Sequence, residues 1–393
     1  MKWPTATLEK VCEVVSGATT KTGNPEYWDG NISWVTPKDL SDLEHKFLTD
    51  TPRKITELGL RNCSARILPA YSVLFSSRAP IGLVAINTIP VCTNQGFKSM
   101  IPKTEKISSD YLFWWLKSHR AEIANLGRGA TFKEVSKKIV EDIEIPLPPL
   151  DEQRRIAEIL DAADALRAKR REALAQLDAL LQSTFLDMFG DPVTNPKGWR
   201  IEKSCNMFFE KPKIGTTRPA SGKGVLVVRV GEVGDTAIRF DKCSRVEIKN
   251  SDLETLLLKE GDIVLARAIG SKEQLGKASL FRGYKEPVVI DSHVMRLRPN
   301  PSICNSRWFF SIISSQQGKK MLQQKGGATA VQFNINAKQI SDIDIPLPPL
   351  SLQRRFAAIV EGVERQKARM RAHGAELDAL FASLQSRAFN GEL

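Results

Sequence analysis

An internal repeat limits the possible folds of this chain more than any other feature. Ile145-Pro146-Leu147-Pro148-Pro149-Leu150 returns as Ile345-Pro346-Leu347-Pro348-Pro349-Leu350. Residues 143–189 and 343–389 align without a gap at a constant offset of 200, and nearly half of the aligned positions are identical. A repeat has to be placed before any single element, because missing it misreads the whole fold. Two copies this far apart do not make a solenoid. They make a duplicated unit in which a variable block precedes a constant one: 1–142, then 143–190, then 191–342, then 343–393.

The constant segments change period in the middle. Ile143-x-Ile145-x-Leu147 alternates like a strand before the prolines. Beyond them Ile156, Ile159, Leu160, Ala163, Leu166, Leu174, Leu177, Leu180 and Leu181 recur at helical spacing, with Asp151 placed as N-cap and Gly190 as terminator. The second copy repeats the stripe with Phe356, Ile359, Val360, Val363, Met370, Leu377, Leu380, Phe381 and Leu384, and ends at Asn390-Gly391. A helix of this length runs roughly 55–60 Å at 1.5 Å per residue. Water cannot cover so long an apolar stripe, and a globular block offers no groove to match it, so the two helices are expected to pair as an antiparallel coiled coil. Arg170 and Gly374 interrupt the seams, so the repeat is not a strict heptad. Packing of each helix on its own domain, or against another chain, is the alternative.

The variable blocks read as mixed α/β, which makes the whole chain α+β. In the first, Val11–Val15, Ile32–Val35, Ser72–Phe75 and Leu83–Ile86 are short apolar runs between Gly and Pro punctuation, followed by a helix over about 109–126. In the second, Val225–Val230, Asp262–Leu265 and Val288–Ile290 are the strands, and Arg307-Trp308-Phe309-Phe310 opens the helix. Landmarks recur in order: a tryptophan at the start, Ser77-Arg78 or Ala266-Arg267 at a strand end, an aromatic helix, then Gly129-Ala130-Thr131 or Gly327-Ala328-Thr329. Similar scaffolds with different surfaces, related by a pseudo-two-fold, account for this.

The net charge of +12 points to an acidic partner, nucleic acid before membrane. The six cysteines form no CxxC pair and no apolar run reaches the membrane-spanning length of about 18 residues, so a reduced, cytoplasmic chain is expected. The four histidines are isolated, which argues against a metal site. No phosphate-binding glycine loop, Asn-Pro-Pro-aromatic run or Gly-x-Ser-x-Gly elbow occurs. Glu247-Ile248-Lys249 with Asp235 or Asp241 only half-resembles a nuclease arrangement. The chain reads as non-catalytic.

With these features together, the chain resembles the specificity subunit of type I restriction-modification systems. The residues that carry the resemblance are Ile145 to Leu160 and Ile345 to Val360, with Leu74-Phe75-Ser76-Ser77-Arg78 and Asn94-Gln95-Gly96-Phe97 in the first block. The second block departs there, with Asp291-Ser292-His293-Val294. The resemblance implies two target-recognition domains, each reading half of a bipartite, asymmetric site on double-stranded DNA. It implies docking of two methyltransferase subunits that use S-adenosylmethionine, and of motor-nuclease restriction subunits that use ATP and Mg²⁺, with no cofactor in this chain.

A reader of DNA needs Arg or Lys for guanine edges and phosphates, Asn or Gln for adenine, and Ser or Thr as adaptable partners. The candidates are Arg78, Gln95, Thr131 and Lys133 in the first block, and Arg218, Arg267, Lys272, Gln332 and Asn334 in the second. The duplicated Gln153-Arg154-Arg155 and Gln353-Arg354-Arg355 are assigned to the linker or to subunit docking, since identical residues cannot supply different half-sites. Two rival readings stay open: a coiled-coil protein scaffold, and a stand-alone nuclease or methyltransferase.

Overall fold

A computed structural model describes residues 3–129, 133–234, 237–271, 275–328 and 333–393. The chain divides into two compact units. One holds 1–171 with 372–393, and the other holds 172–371. Each unit therefore takes a variable block, half of one long helix and the complementary half of the other.

In the first unit a five-stranded sheet runs in the order Cys12–Ser16, Lys98–Pro102, Val73–Phe75, Val84–Asn87, Phe47–Leu48. Beside it stands a three-stranded sheet of Lys54–Ile55, Trp28–Val35 and Val91–Thr93. The second unit repeats the plan. A four-stranded sheet of Lys213–Ile214, Val294–Leu297, Ile263–Ala266 and Ala278–Leu280 accompanies a three-stranded sheet of Ser244–Val246, Val225–Val228 and Val288–Ile290. The strands Val73–Phe75 and Ile263–Ala266 are buried on both faces, which is why they read as unbroken apolar runs rather than as alternation.

The expected helix over 109–126 is two helices, Ser109–Ser118 and Arg120–Asn125, meeting at His119. His119 leaves helical geometry, its ring stacked on Trp115 of the preceding turn at 4.3 Å and set against Phe389 of the long helix at 5.8 Å, so a tertiary contact stands where the apolar pattern alone would continue the helix. The second unit breaks likewise, into Ser306–Ser314 and Gln316–Lys325.

The alternating Ile143–Leu147 segment forms the strand Glu144–Pro146, paired antiparallel with Thr5–Thr7; Asp344–Leu347 pairs with Arg200–Lys203 in the same way. The long helices are Leu150–Phe189 and Leu350–Asn390. Both begin one residue before the expected caps, so Asp151 lies in the first turn, where its carboxylate complements the helix dipole and meets Arg154 at 3.0 Å. Gly190 and Gly391, both at positive φ, follow the helix ends.

The helices pair antiparallel within each unit. In the first, Arg167 contacts Asp378 at 2.6 Å and Arg170 contacts His373 at 3.3 Å. In the second, Lys367 reaches Asp178 at 2.6 Å, while Phe356 packs on Phe185 and Phe189. Arg167–Asp378 and Lys367–Asp178 are one contact seen in both copies of the repeat. Each helix half also packs on its own unit's aromatic helix, through Trp114–Phe381 and Tyr111–Phe389 in one and Phe189–Trp308 in the other. The coiled coil and the domain-packing alternative are therefore both realised.

Candidate nucleic-acid interface

The repeat continues into the variable blocks at the level of single hydrogen bonds. In the first unit, Asn94 N–H donates to the Val35 carbonyl at 3.0 Å, and Gly96 N–H donates to Asn94 Oδ1 at 2.9 Å. In the second, Asp291 N–H donates to Val228 at 3.0 Å, and His293 N–H donates to Asp291 Oδ1 at 3.0 Å. Asn and Asp both build this turn because each places a carbonyl-type oxygen two residues before the amide that it accepts from. The loss of the Asn-Gln-Gly-Phe wording thus leaves the turn intact and changes only what it displays: Gln95 and Gly96 in one copy, Ser292 and His293 in the other. Gln95 is exposed, with no contact closer than 3.5 Å between its N–H and Thr19 Oγ1.

The two strand ends correspond with a shift of one residue from the sequence landmarks. Ser77 N–H donates to the Gly96 carbonyl and its own carbonyl accepts from Val135; Arg267 makes the matching bonds with His293 and Ile335. Arg267 therefore occupies the place of Ser77, and the counterpart of Arg78 is Ala268. Pairing Arg78 with Arg267 is corrected accordingly. Arg267 is held in its own scaffold by a 2.7 Å bond to the Ser292 carbonyl, and Asn334 lies beside it on a strand paired through Ala268. Arg218 is exposed, 3.7 Å from Asp252, and bonds through its N–H to Thr216 Oγ1, whose residue bridges Asp291. The Asp291–Val294 turn thus links Arg218 and Arg267. Thr131, Lys272 and Gln332 lie outside the described residues.

In the first unit the structure gathers what the sequence listed separately. Arg78 and Lys133 line one open cleft of about 1030 Å³, together with Pro80, Ser118, Asn125 and Arg120. Among the described residues, three cations and no carboxylate line this cleft. Glu134 lies just behind it, 3.9 Å from Arg78 and 3.1 Å from Lys98, and pins the Arg78 backbone by strand pairing. Sequence reasoning missed Arg120, because an unbroken helix over 109–126 hides the turn at His119 that presents it. Its Nε donates to the Ile81 carbonyl at 3.3 Å.

The duplicated glutamines turn out to be structural. Gln153 and Gln353 are fully buried. Gln153 accepts from Ser108 N–H at 2.9 Å and donates to the carbonyls of Lys106 and Pro148, both at 2.9 Å. Gln353 does the same with Asn305, Ile303 and Pro348. Each glutamine ties the proline linker to the start of the aromatic helix. The other buried charges also hold the scaffold. Burial lowers the pKa of Arg296, whereas the hydrogen bond that Arg298 donates to Asp262 raises that of Arg298, and both guanidinium groups contact Glu210 at 2.7 Å. Among the described residues no group of three or more His, Cys, Asp or Glu side chains is placed to hold a metal ion. No described helix is long and apolar enough to cross a membrane.

A repeated scaffold, tips that differ between copies, and a cationic cleft are the features of a two-unit recognition protein for an acidic partner. The family model for the type I restriction modification DNA specificity domain matches residues 1–176 and again 227–377. The chain belongs to that family, and is a sequence-specific DNA-recognition subunit of the type I restriction-modification kind. It is 29% identical to the type I restriction enzyme MjaIX specificity subunit of Methanocaldococcus jannaschii, over 91% of this chain and 86% of that one. It is 24% identical to the EcoKI specificity subunit of Escherichia coli K12, over 81% and 73% of the two chains. Among solved structures, the fold matches a chain of a type I restriction-modification assembly with a TM-score of 0.63 at 20% identity, covering 100% and 98%. It matches the S subunit from M. genitalium with a TM-score of 0.58 at 14% identity, covering 99% and 96%. The scaffold and stand-alone enzyme alternatives find no support in these relationships.

Proposed function

We propose that residues 1–142 and 191–342 each read one half of a split, asymmetric DNA site, while 143–190 and 343–393 link them and seat partner subunits. The observation that carries this reading is the pair of superposable turns at Asn94–Phe97 and Asp291–Val294, alike in backbone and unlike in side chains. Identical tips would read identical half-sites; these cannot.

In the first unit, Arg78, Arg120 and Lys133 form the cationic cleft that takes the DNA backbone or a guanine edge, with Gln95 and Thr131 as base readers. In the second, Arg218, Lys272, Gln332 and Asn334 are the corresponding candidates. Arg267, tied to Ser292, orients the turn more than it reads a base. Two methyltransferase subunits supplying S-adenosylmethionine chemistry, and restriction subunits using ATP and Mg²⁺, are the partners this assignment calls for. A cytoplasmic location suits such an assembly, since its DNA substrate lies there.

The test is equilibrium binding of the complex with its methyltransferase to a DNA duplex carrying the methylated motif, measured across a salt series. Arg120→Ala or Lys133→Ala should weaken all duplexes alike and flatten the salt slope by about one unit, as a lost phosphate contact does. A base-reading Arg78 should instead cost about 1–3 kcal/mol on the cognate sequence alone. If all three substitutions leave both affinity and salt slope unchanged, this cleft does not contact DNA.

A further inference from the structure

The two units depart from each other most sharply at the place where the aromatic helix meets the long helices. The buried bond pairs Ser108–Gln153 and Asn305–Gln353 set the register of the two aromatic helices. In that register Phe113 and Trp114 of the first unit correspond to Phe310 and Ser311 of the second. On the long helices, the offset of 200 makes Phe381 the counterpart of Leu181.

In the first unit Trp114 is 1% exposed, packs on Phe381 with ring centroids 5.5 Å apart, and donates its indole N–H to Asp161 at 3.0 Å. Phe113 is buried as well. In the second unit both large side chains are missing, replaced by Ser311 and Leu181. A groove of about 500 Å³ opens there; Leu181, Phe185, Phe310, Phe356 and Val360 give it an apolar wall, and Asp178 and Glu364 on the same lining are both paired with Lys367. Phe310 is left half-buried and Leu186 is 37% exposed.

The charge around this place shifts toward positive too, although Asp161 and Asp164 keep acidic counterparts in Glu361 and Glu364. In the first unit Lys46 sits between Asp110 and Asp161, at 2.6 and 2.5 Å, while Asp151 and Glu152 neutralise Arg154 and Arg155. In the second unit Asp110 is replaced by Arg307, Asp151 by Ser351 and Glu152 by Leu352. Arg282 and Arg307 border the apolar groove, and with Arg354 they line the polar cleft of about 440 Å³ that adjoins it. Arg282 and Arg307 pair only loosely, at 3.8 Å from Glu364 and 3.9 Å from Glu361. Arg354 has no ion-pair partner among the described residues.

We propose that this groove docks an acidic protein segment carrying a bulky apolar anchor, and that the first unit, which fills the same space with Trp114 and Phe381, does not. The anchor takes the volume left by the missing indole and phenyl rings, and flanking carboxylates meet Arg282, Arg307 and Arg354. An apolar insert with a charged rim is the mode by which short segments bind preformed grooves. The phosphate backbone of DNA is disfavoured as the occupant. The groove has an apolar wall, and Arg282 follows the strand paired to the start of Ile263–Ala266, whereas the turn-contacting Arg267 follows its far end.

The test uses the full chain and a fluorescein-labelled amphipathic peptide with Leu and Phe on one helical face and Glu elsewhere. Its affinity is read by fluorescence anisotropy, beside the same peptide with Lys for Glu and beside duplex DNA. The glutamate peptide should bind at least tenfold more tightly than the lysine peptide. Ser311→Trp with Leu181→Phe, which recreates the first unit's filling, should weaken it at least tenfold. Arg282→Glu with Arg354→Glu, both at the surface, should do the same without altering binding to a cognate duplex, and decides the matter if the filled variant does not fold. Equal binding of the two peptides, insensitivity to both pairs of substitutions, or competition by DNA for the peptide would overturn the proposal.

Discussion

Gln153 and Gln353 are polar side chains with no access to water, and each satisfies three backbone groups. Replacing either by leucine keeps the volume but leaves one amide and two carbonyls without partners. Each buried group left unsatisfied costs roughly 1–3 kcal/mol, so Gln353→Leu should lower unfolding stability by about 3 kcal/mol or more in urea titrations. A loss under about 1 kcal/mol would mean that water replaces the amide. The duplication of these residues was legible in sequence, and so was their exclusion from half-site specificity. That they bind backbone, and not a partner, depended on burial that no linear pattern reports.

The cysteines yield a second residue-scale test. Burial pushes the Cys12 and Cys92 thiols up to about 12, Cys243 to about 11, and Cys304 well above its ordinary range. A thiol ionises at about 8.5 in an unfolded chain. The fold thus favours the neutral form, and its contribution is complete below about pH 8.5 and lost as pH rises toward the folded values. The urea midpoint should fall between pH 7.5 and pH 10. At pH 8, iodoacetamide followed by mass spectrometry should mark exposed Cys205 while sparing Cys12, Cys92 and Cys304. Equal labelling of Cys304 and Cys205 would contradict the packing described.

At the scale of elements, the turns proposed to display reading residues depend on two glycines. A Cβ at Gly17 would overlap the Asn94 carbonyl, and one at Gly215 would overlap the Ile290 carbonyl. Backbone stands in both places and cannot step aside as a flexible side chain would. Gly17→Ala and Gly215→Ala should therefore each cost about 1–3 kcal/mol of stability, as overpacking does. Each should also impair recognition of one half-site and spare the other, which binding to duplexes altered in a single half would reveal. Equal damage to both halves would show that the turns are not independent.

Long elements were the most legible, because a stripe sustained over ten turns has few readings and Gly190 and Gly391 mark where each helix stops. Shorter ones were less so. Val91–Thr93 and Lys98–Pro102 are buried strands that lie between turn residues and carry a lysine, a serine and a proline, so their apolar signal is diluted. At the break His119 packs against Phe389 of the long helix, a tertiary contact that the sequence does not report, and with it went the one clear chance to see Arg120 as a candidate site residue.

For the molecule as a whole, the repeat carried the architecture from the start, and the variable blocks proved to share it more deeply than their sequences do. The site was less accessible. Arg78 and Lys133 were nominated because Arg and Lys at loop positions are what a DNA reader needs, and the structure brings them to one cleft. Arg267 met the same criterion but is engaged by Ser292, since a one-residue shift separates it from the place Arg78 occupies. Residue type can nominate a reader; only the register of neighbouring strands says where its side chain can go.

The central claim is that two unlike units read two halves of one DNA site. It is tested most directly by single-molecule mapping of N6-methyladenine in cells that hold the methyltransferase subunit, comparing this chain with a chimaera whose residues 1–142 come from another family member. The account predicts a split, asymmetric motif for the native chain, and for the chimaera a motif in which one half is replaced and the other is retained. A chimaera that stays active but changes both halves, or neither, would contradict it.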